Sequence, residues 1–122
     1  MLDHIGLVVD DFDKSLAFYT AALAPLGVAV VMQSSGEAGF GRDGHPQFWV
    51  YRGGPPSGRM HLAFKARSEA EVRAFHAAAL AAGARDNGAP GLRAHYDPNY
   101  YSAFAIDPDG HNIEAVSHSP EA

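Results

Sequence analysis

The sequence predicts an α+β domain built from two tandem βαβββ units, on three observations. An order of short strand, capped helix and further strands runs once and then restarts; a His stands just before the first strand of each run; and an Asp-Gly-His turn comes near the end of each. A chain of 122 residues is long enough for one core and too short for two of ordinary size, so the two units must share theirs. Residues 1–122 read as one domain, with unit one at 1–53, a linker at 53–59, unit two at 60–118 and a tail at 119–122.

Residues 5–9 are short, apolar and β-branched, which suits a buried strand, and they stop at Asp10 and Asp11. Asp11 is placed to cap a helix over 12–23, where Phe12, Leu16, Tyr19 and Leu23 recur at helical spacing before Pro25 and Gly27 end it. Three short strands follow at 28–33, 38–41 and 47–51, divided by Ser34-Ser35-Gly36 and by Asp43-Gly44. After the Gly- and Pro-rich linker, residues 60–66 are again strand-like, and Ser68-Glu69-Ala70-Glu71 is a capping box opening an Ala-rich helix to about Ala82. A last strand is expected at Asn112–Ser117.

At an offset of 57, His4 falls on His61 and Asp11 on Ser68; the turn Asp43-Gly44-His45 matches Asp109-Gly110-His111 at an offset of 66. The second unit has therefore gained nine residues, placed between Arg85 and Tyr101 in a loop-like stretch that carries three Tyr. Such a loop, present in one unit only, is where substrate contacts are expected. Counting back 66 residues from Glu114 puts Phe48 opposite it, with Gln47 and Trp49 beside.

Composition narrows the chemistry. A net charge of -5 lacks the basic excess of nucleic-acid binders, and no apolar run approaches the roughly 18 residues of a membrane span, so neither nucleic acid nor membrane is an expected partner and a cytoplasmic protein is. Without Cys, any metal site must come from His, carboxylate or amide oxygen, and the chain has seven His. His4 and His61 stand at symmetric points. Glu114 lies in an apolar strand, where an ionised carboxylate is costly without a partner such as a cation. Two imidazoles and one carboxylate suit Fe, Mn, Zn or Ni, with no choice among them from ligand type. The Gly-x-Gly-x-x-Gly spacing at Gly39, Gly41 and Gly44 leads into Pro46 and a strand instead of a helix, which excludes a dinucleotide loop. His45, His76, His111 and His118 read as surface residues.

His4-Ile-Gly-Leu-Val-Val-Asp-Asp, Ser15-Leu-Ala-Phe-Tyr, Met60-His-Leu-Ala-Phe and the closing Tyr100-Tyr-Ser-Ala-Phe-Ala-Ile-Asp-Pro-Asp-Gly-His-Asn-Ile-Glu resemble the vicinal oxygen chelate superfamily. That group includes glyoxalase I, fosfomycin and bleomycin resistance proteins, extradiol dioxygenases and methylmalonyl-CoA epimerase. The resemblance implies a glyoxalase-like fold, with curved mixed sheets around a cleft, and one divalent metal on His4, His61 and Glu114. Glu114 would be the catalytic carboxylate. It also implies a homodimer, with the ligands of one site drawn either from one chain or from two. Glyoxalase I has a fourth ligand, a Glu, at the end of its first unit; Phe48 there disfavours that activity. The implied function is metal-dependent lyase, isomerase, thiol transferase or dioxygenase chemistry on a small oxygenated substrate. The candidate substrate contacts are Phe48, Trp49, Arg93, Tyr96, Tyr100 and Tyr101. The alternative is a metal-free protein that sequesters a small molecule, as bleomycin resistance proteins do.

Overall fold

The computed structural model describes residues 1–118; the expected tail at 119–122 lies outside the described residues. The element order is β1 (Ile5–Val8), α1 (Phe12–Leu23), β2 (Ala29–Gln33), β3 (Glu37–Arg42), β4 (His45–Tyr51), β5 (His61–Lys65), α2 (Glu69–Ala81), β6 (Arg85–Leu92), β7 (Tyr101–Ile106) and β8 (Asn112–Ser117). Two four-stranded sheets result, ordered β1-β4-β3-β2 and β5-β8-β7-β6, so the second repeats the first. In each, the first strand pairs parallel with the last and the others are antiparallel. The fold is the expected pair of βαβββ units.

Local chemistry accounts for the helices. The Asp11 carboxylate accepts from the Lys14 backbone N–H at 3.1 Å, and Ser68 Oγ accepts from that of Glu71 at 3.2 Å. The return arm of the second cap lands one residue early: Glu71 accepts from the Arg67 N–H at 2.8 Å. Each helix turns one stripe inward, Phe12, Ser15, Phe18, Tyr19 and Ala22 on α1 and Val72, Phe75, His76 and Ala79 on α2. Asp43 and Gly44 both take positive φ, as a two-residue hairpin turn between twisted strands requires.

The two helices pack on each other, each over the inner face of its own sheet, and one hydrophobic core runs through both units. Phe48 and Phe64 touch across the units with rings 5.2 Å apart. At the centre stands Tyr19, fully buried, edge-on to Phe18 and Phe48. Its hydroxyl donates to Asp107 Oδ2, while Asp107 Oδ1 accepts the backbone N–H groups of Asp109 and His111, each at 2.9 Å. The Asp-Pro-Asp-Gly turn is thus closed by its first carboxylate and tied to the helix of the other unit.

Four expectations change. The stretch 85–101 is a loop only over 93–100, its first part being the edge strand β6. His111 is fully buried, because its Nδ1 accepts from the Met60 N–H at 3.0 Å, and His76 is buried against Asp86 at 3.0 Å; neither is a surface residue. The linker is pinned, with the Ser57 N–H bonded to the Val8 carbonyl at 3.1 Å and Ser57 Oγ accepting from the Val8 N–H at 3.3 Å. The residue opposite Glu114 in the repeat is Trp49 and not Phe48. Glu114 pairs with Ala63 of β5, Ala63 repeats Gly6, and Gly6 pairs with Trp49.

Burial first, then the nearby Asp107 carboxylate, raise the Tyr19 phenol well above its ordinary 10.0. A group whose folded-state pKa is raised stabilises fully below its unfolded value and loses that contribution as pH climbs past it. Stability should therefore fall above about pH 10, and Tyr19→Phe should flatten that fall. The same variant should cost about 1.5–3 kcal/mol at neutral pH, the worth of a hydrogen bond to a charged group. Urea unfolding of both proteins across pH checks this.

Candidate metal centre

On each sheet, side chains alternate between the core and an open face away from the helices. In β8, Ile113 and Ala115 enter the core, which leaves Glu114 on the open face. Glu114 is nevertheless only 1% exposed. A carboxylate so deprived of water needs partners, and it has two. His61 Nε2 lies 2.8 Å from Oε1, and the Tyr100 hydroxyl donates to Oε2 at 2.5 Å. Burial, then the bond to Glu114, push the Tyr100 phenol up to about 12, so it stays a donor across the working pH range.

The loop at 93–100 completes this face. The Arg93 guanidinium lies 5.0 Å over the Phe104 ring and spends its N–H groups on the carbonyls of Gly91, Ala89 and Ser102. Arg93 therefore braces the loop that brings Tyr100 to Glu114. Tyr96, largely exposed, packs its ring 5.0 Å from Tyr100, and His118 packs 5.3 Å from Tyr100 on another side. Tyr101 faces the other way, toward the core and Arg73 of α2.

The open face of the first sheet has different chemistry. Trp49 and Tyr51 stack with planes 2° apart and centroids 6.1 Å apart. They lie flat because glycines flank them. A Cβ on Gly6 would come within 2.3 Å of the Tyr51 ring, and one on Gly39 within 2.9 Å of Trp49. His4 lies beside this pair, in a hollow of about 390 Å³ also lined by Asp3, Glu37 and His45. His4 Nδ1 is 2.8 Å from Asp3 Oδ2, and this bond holds the Asp3 carboxyl below its ordinary value. Phe48, by contrast, is buried against Tyr19, Phe40 and Phe64 and belongs to the core.

Of the sequence-predicted ligands, the structure brings His61 and Glu114 together and holds His4 on the other sheet. Among the described residues of one chain, no three His, Cys, Asp or Glu side chains are grouped to hold a metal ion. The pair has the chemistry to join in holding one: an imidazole nitrogen and a buried carboxylate oxygen stand 2.8 Å apart. Two donors each about 2.1 Å from one ion stand roughly 3.0–3.4 Å apart, so the pair would have to open by a few tenths of an ångström.

The sequence profile of the Glyoxalase/Bleomycin resistance protein/Dioxygenase superfamily matches residues 1–115. The chain belongs to that superfamily. Solved structures agree. A glyoxalase/bleomycin resistance protein from Albidiferax ferrireducens is 28% identical, with a TM-score of 0.82 over 96% of this chain and 98% of its own. A glyoxalase-related enzyme from Fulvimarina pelagi is 23% identical, with a TM-score of 0.73 over 96% of this chain and 87% of its own. A glyoxalase/bleomycin resistance protein/dioxygenase family enzyme from Burkholderia phytofirmans, 17% identical, also has a TM-score of 0.73, over 96% of this chain and 98% of its own, and shows the shared fold. No curated protein sequence matches significantly. Among the described residues, no helix is long and apolar enough to cross a membrane.

The two raised phenols are directly measurable. In a spectrophotometric titration at 295 nm, at least two of the five tyrosines should remain protonated in the native protein at about pH 11. Tyr100→Phe should reduce that number by one.

Proposed function

We propose that the chain is a divalent-metal-dependent enzyme acting on a small oxygenated molecule, with His61 and Glu114 of one subunit and the partner's His4 as ligands of each site. The observation that carries the reading is the buried Glu114 carboxylate held between His61 and Tyr100 on an otherwise open sheet face. A surface residue would not be enclosed in this way, and a core residue would not be paired with an exposed His. The separation of His4 from this pair favours a site completed by a second chain. When bound, a divalent ion supplies Lewis-acid stabilisation of negative charge developing on substrate oxygens.

The chain's own groups define the rest. Among the described residues, Glu114 is the one carboxylate placed to take or return a proton at the site, as proton abstraction beside a carbonyl requires. The Tyr100 hydroxyl fixes Glu114 Oε2 and leaves Oε1 toward His61. The loop at 93–100 and Phe104 keep water from the carboxylate. Trp49, Tyr51 and Tyr96 offer the aromatic surfaces for the apolar part of a substrate. Trp49 at the position opposite Glu114 leaves a three-ligand site, against the four-ligand pattern of glyoxalase I. The cytoplasm remains the expected compartment.

The stacked Trp49 and Tyr51 pair favours a second reading, a metal-free binding protein that sequesters a planar ligand on that face. Metal analysis of protein purified without added metal separates the two. Near-stoichiometric metal that vanishes in His61→Ala supports the enzyme. No bound metal, and no thermal shift with Mn, Ni, Zn or Fe, would sink it. With metal present, assays on methylglyoxal with glutathione, fosfomycin with thiols, and catechols rank the reactions.

A further inference from the structure

We propose that Asp3 is a positioning residue for His4: its carboxylate accepts the hydrogen bond of the ring's Nδ1–H and so leaves the bare Nε2 as the outward metal donor. This rests on the metal-dependent reading above. Asp3 Oδ2 is 2.8 Å from His4 Nδ1, and Asp3 Oδ1 is 3.2 Å from His45 Nε2. An ionised carboxylate only accepts, so both rings must donate to it. His45 opens β4 just after the hairpin turn, so Asp3 is gripped from the hairpin as well as from the start of β1.

The comparison between units gives this contact its meaning. His61 finds its carboxylate in the last strand of its unit, on Glu114. The equivalent strand position in unit one is Trp49, which has no oxygen to offer His4. The residue just before His4 supplies the acid instead, and it does so through the other ring nitrogen. A carboxylate on the far nitrogen of a metal-binding His fixes its tautomer and raises its basicity. Stability gives the pair little reason to exist, since Asp3 and His4 side chains are 70% and 55% exposed and such contacts contribute little. That exposure also means that substitution at Asp3 should leave the fold intact.

Nitrogen-15 NMR of the metal-free, full-length protein in mildly alkaline solution reads the tautomer directly. Wild type should show His4 with its proton on Nδ1. Asp3→Ala should move it to Nε2, the form free histidine prefers, and Asp3→Asn, whose amide oxygen still accepts, should restore Nδ1. Calorimetric titration with Ni(II) alone should show Asp3→Ala weaker by about 10- to 100-fold, the usual cost of losing such a partner. An Nε2 proton on wild-type His4 overturns the proposal, as does equal Ni(II) affinity in wild type and Asp3→Ala. The expected tautomer in a wild-type protein that binds none of Ni(II), Mn(II), Zn(II) and Fe(II) overturns the metal reading instead.

Discussion

Tyr19 is the point on which the two units depend. It rises from the helix of unit one, fills the centre of the shared core, and delivers its hydroxyl to Asp107 in the last turn of unit two. A buried carboxylate is tolerable only when its oxygens are occupied, and here Tyr19 and two backbone N–H groups of the turn occupy them. The same carboxylate therefore shapes the hairpin from which β8 begins. Because β8 carries Glu114, the placement of the candidate site is inherited from a contact on the opposite face of the sheet.

The two units are copies of one scaffold that have diverged in what their open faces carry. The second unit presents a carboxylate, an imidazole and a phenol beneath an added loop. The first presents flat aromatic rings over glycines, with an imidazole at the edge. A duplicated fold supplies equivalent backbone positions, and the chemistry lies in the residues that break the equivalence. Where Glu114 stands in one copy, Trp49 stands in the other, so at that position one half carries a buried carboxylate and the other an aromatic surface.

Much of this was legible in the amino-acid order because it depends on local rules. The caps at Asp11 and Ser68, the turn at Asp43 and Gly44, and the restart of the pattern after the linker follow from short-range preferences, and His61 and Glu114 were found together. The misplaced residue has a specific cause. Strand β4 carries a bulge, with Phe40 opposite Phe48 but Gly41 opposite Pro46, so Gln47 is an extra residue between the turn and the strand. Counting back from the turn therefore lands one residue short, on the core-facing Phe48 instead of Trp49. The burial of His111 and the bracing role of Arg93 are out of reach of the sequence for a different reason. Burial of a turn His against the Met60 N–H, and capture of a guanidinium by three carbonyls, are tertiary events with no periodic trace.

Ser57 gives the linker a role that its composition hides. Its two hydrogen bonds to Val8 cover backbone groups on the free edge of β1, where an unguarded strand would invite pairing with another chain. The segment joining the two units is thus also a guard against uncontrolled strand addition. Lengthening or cutting it would change more than the distance between halves, because it would open a sheet edge to aggregation.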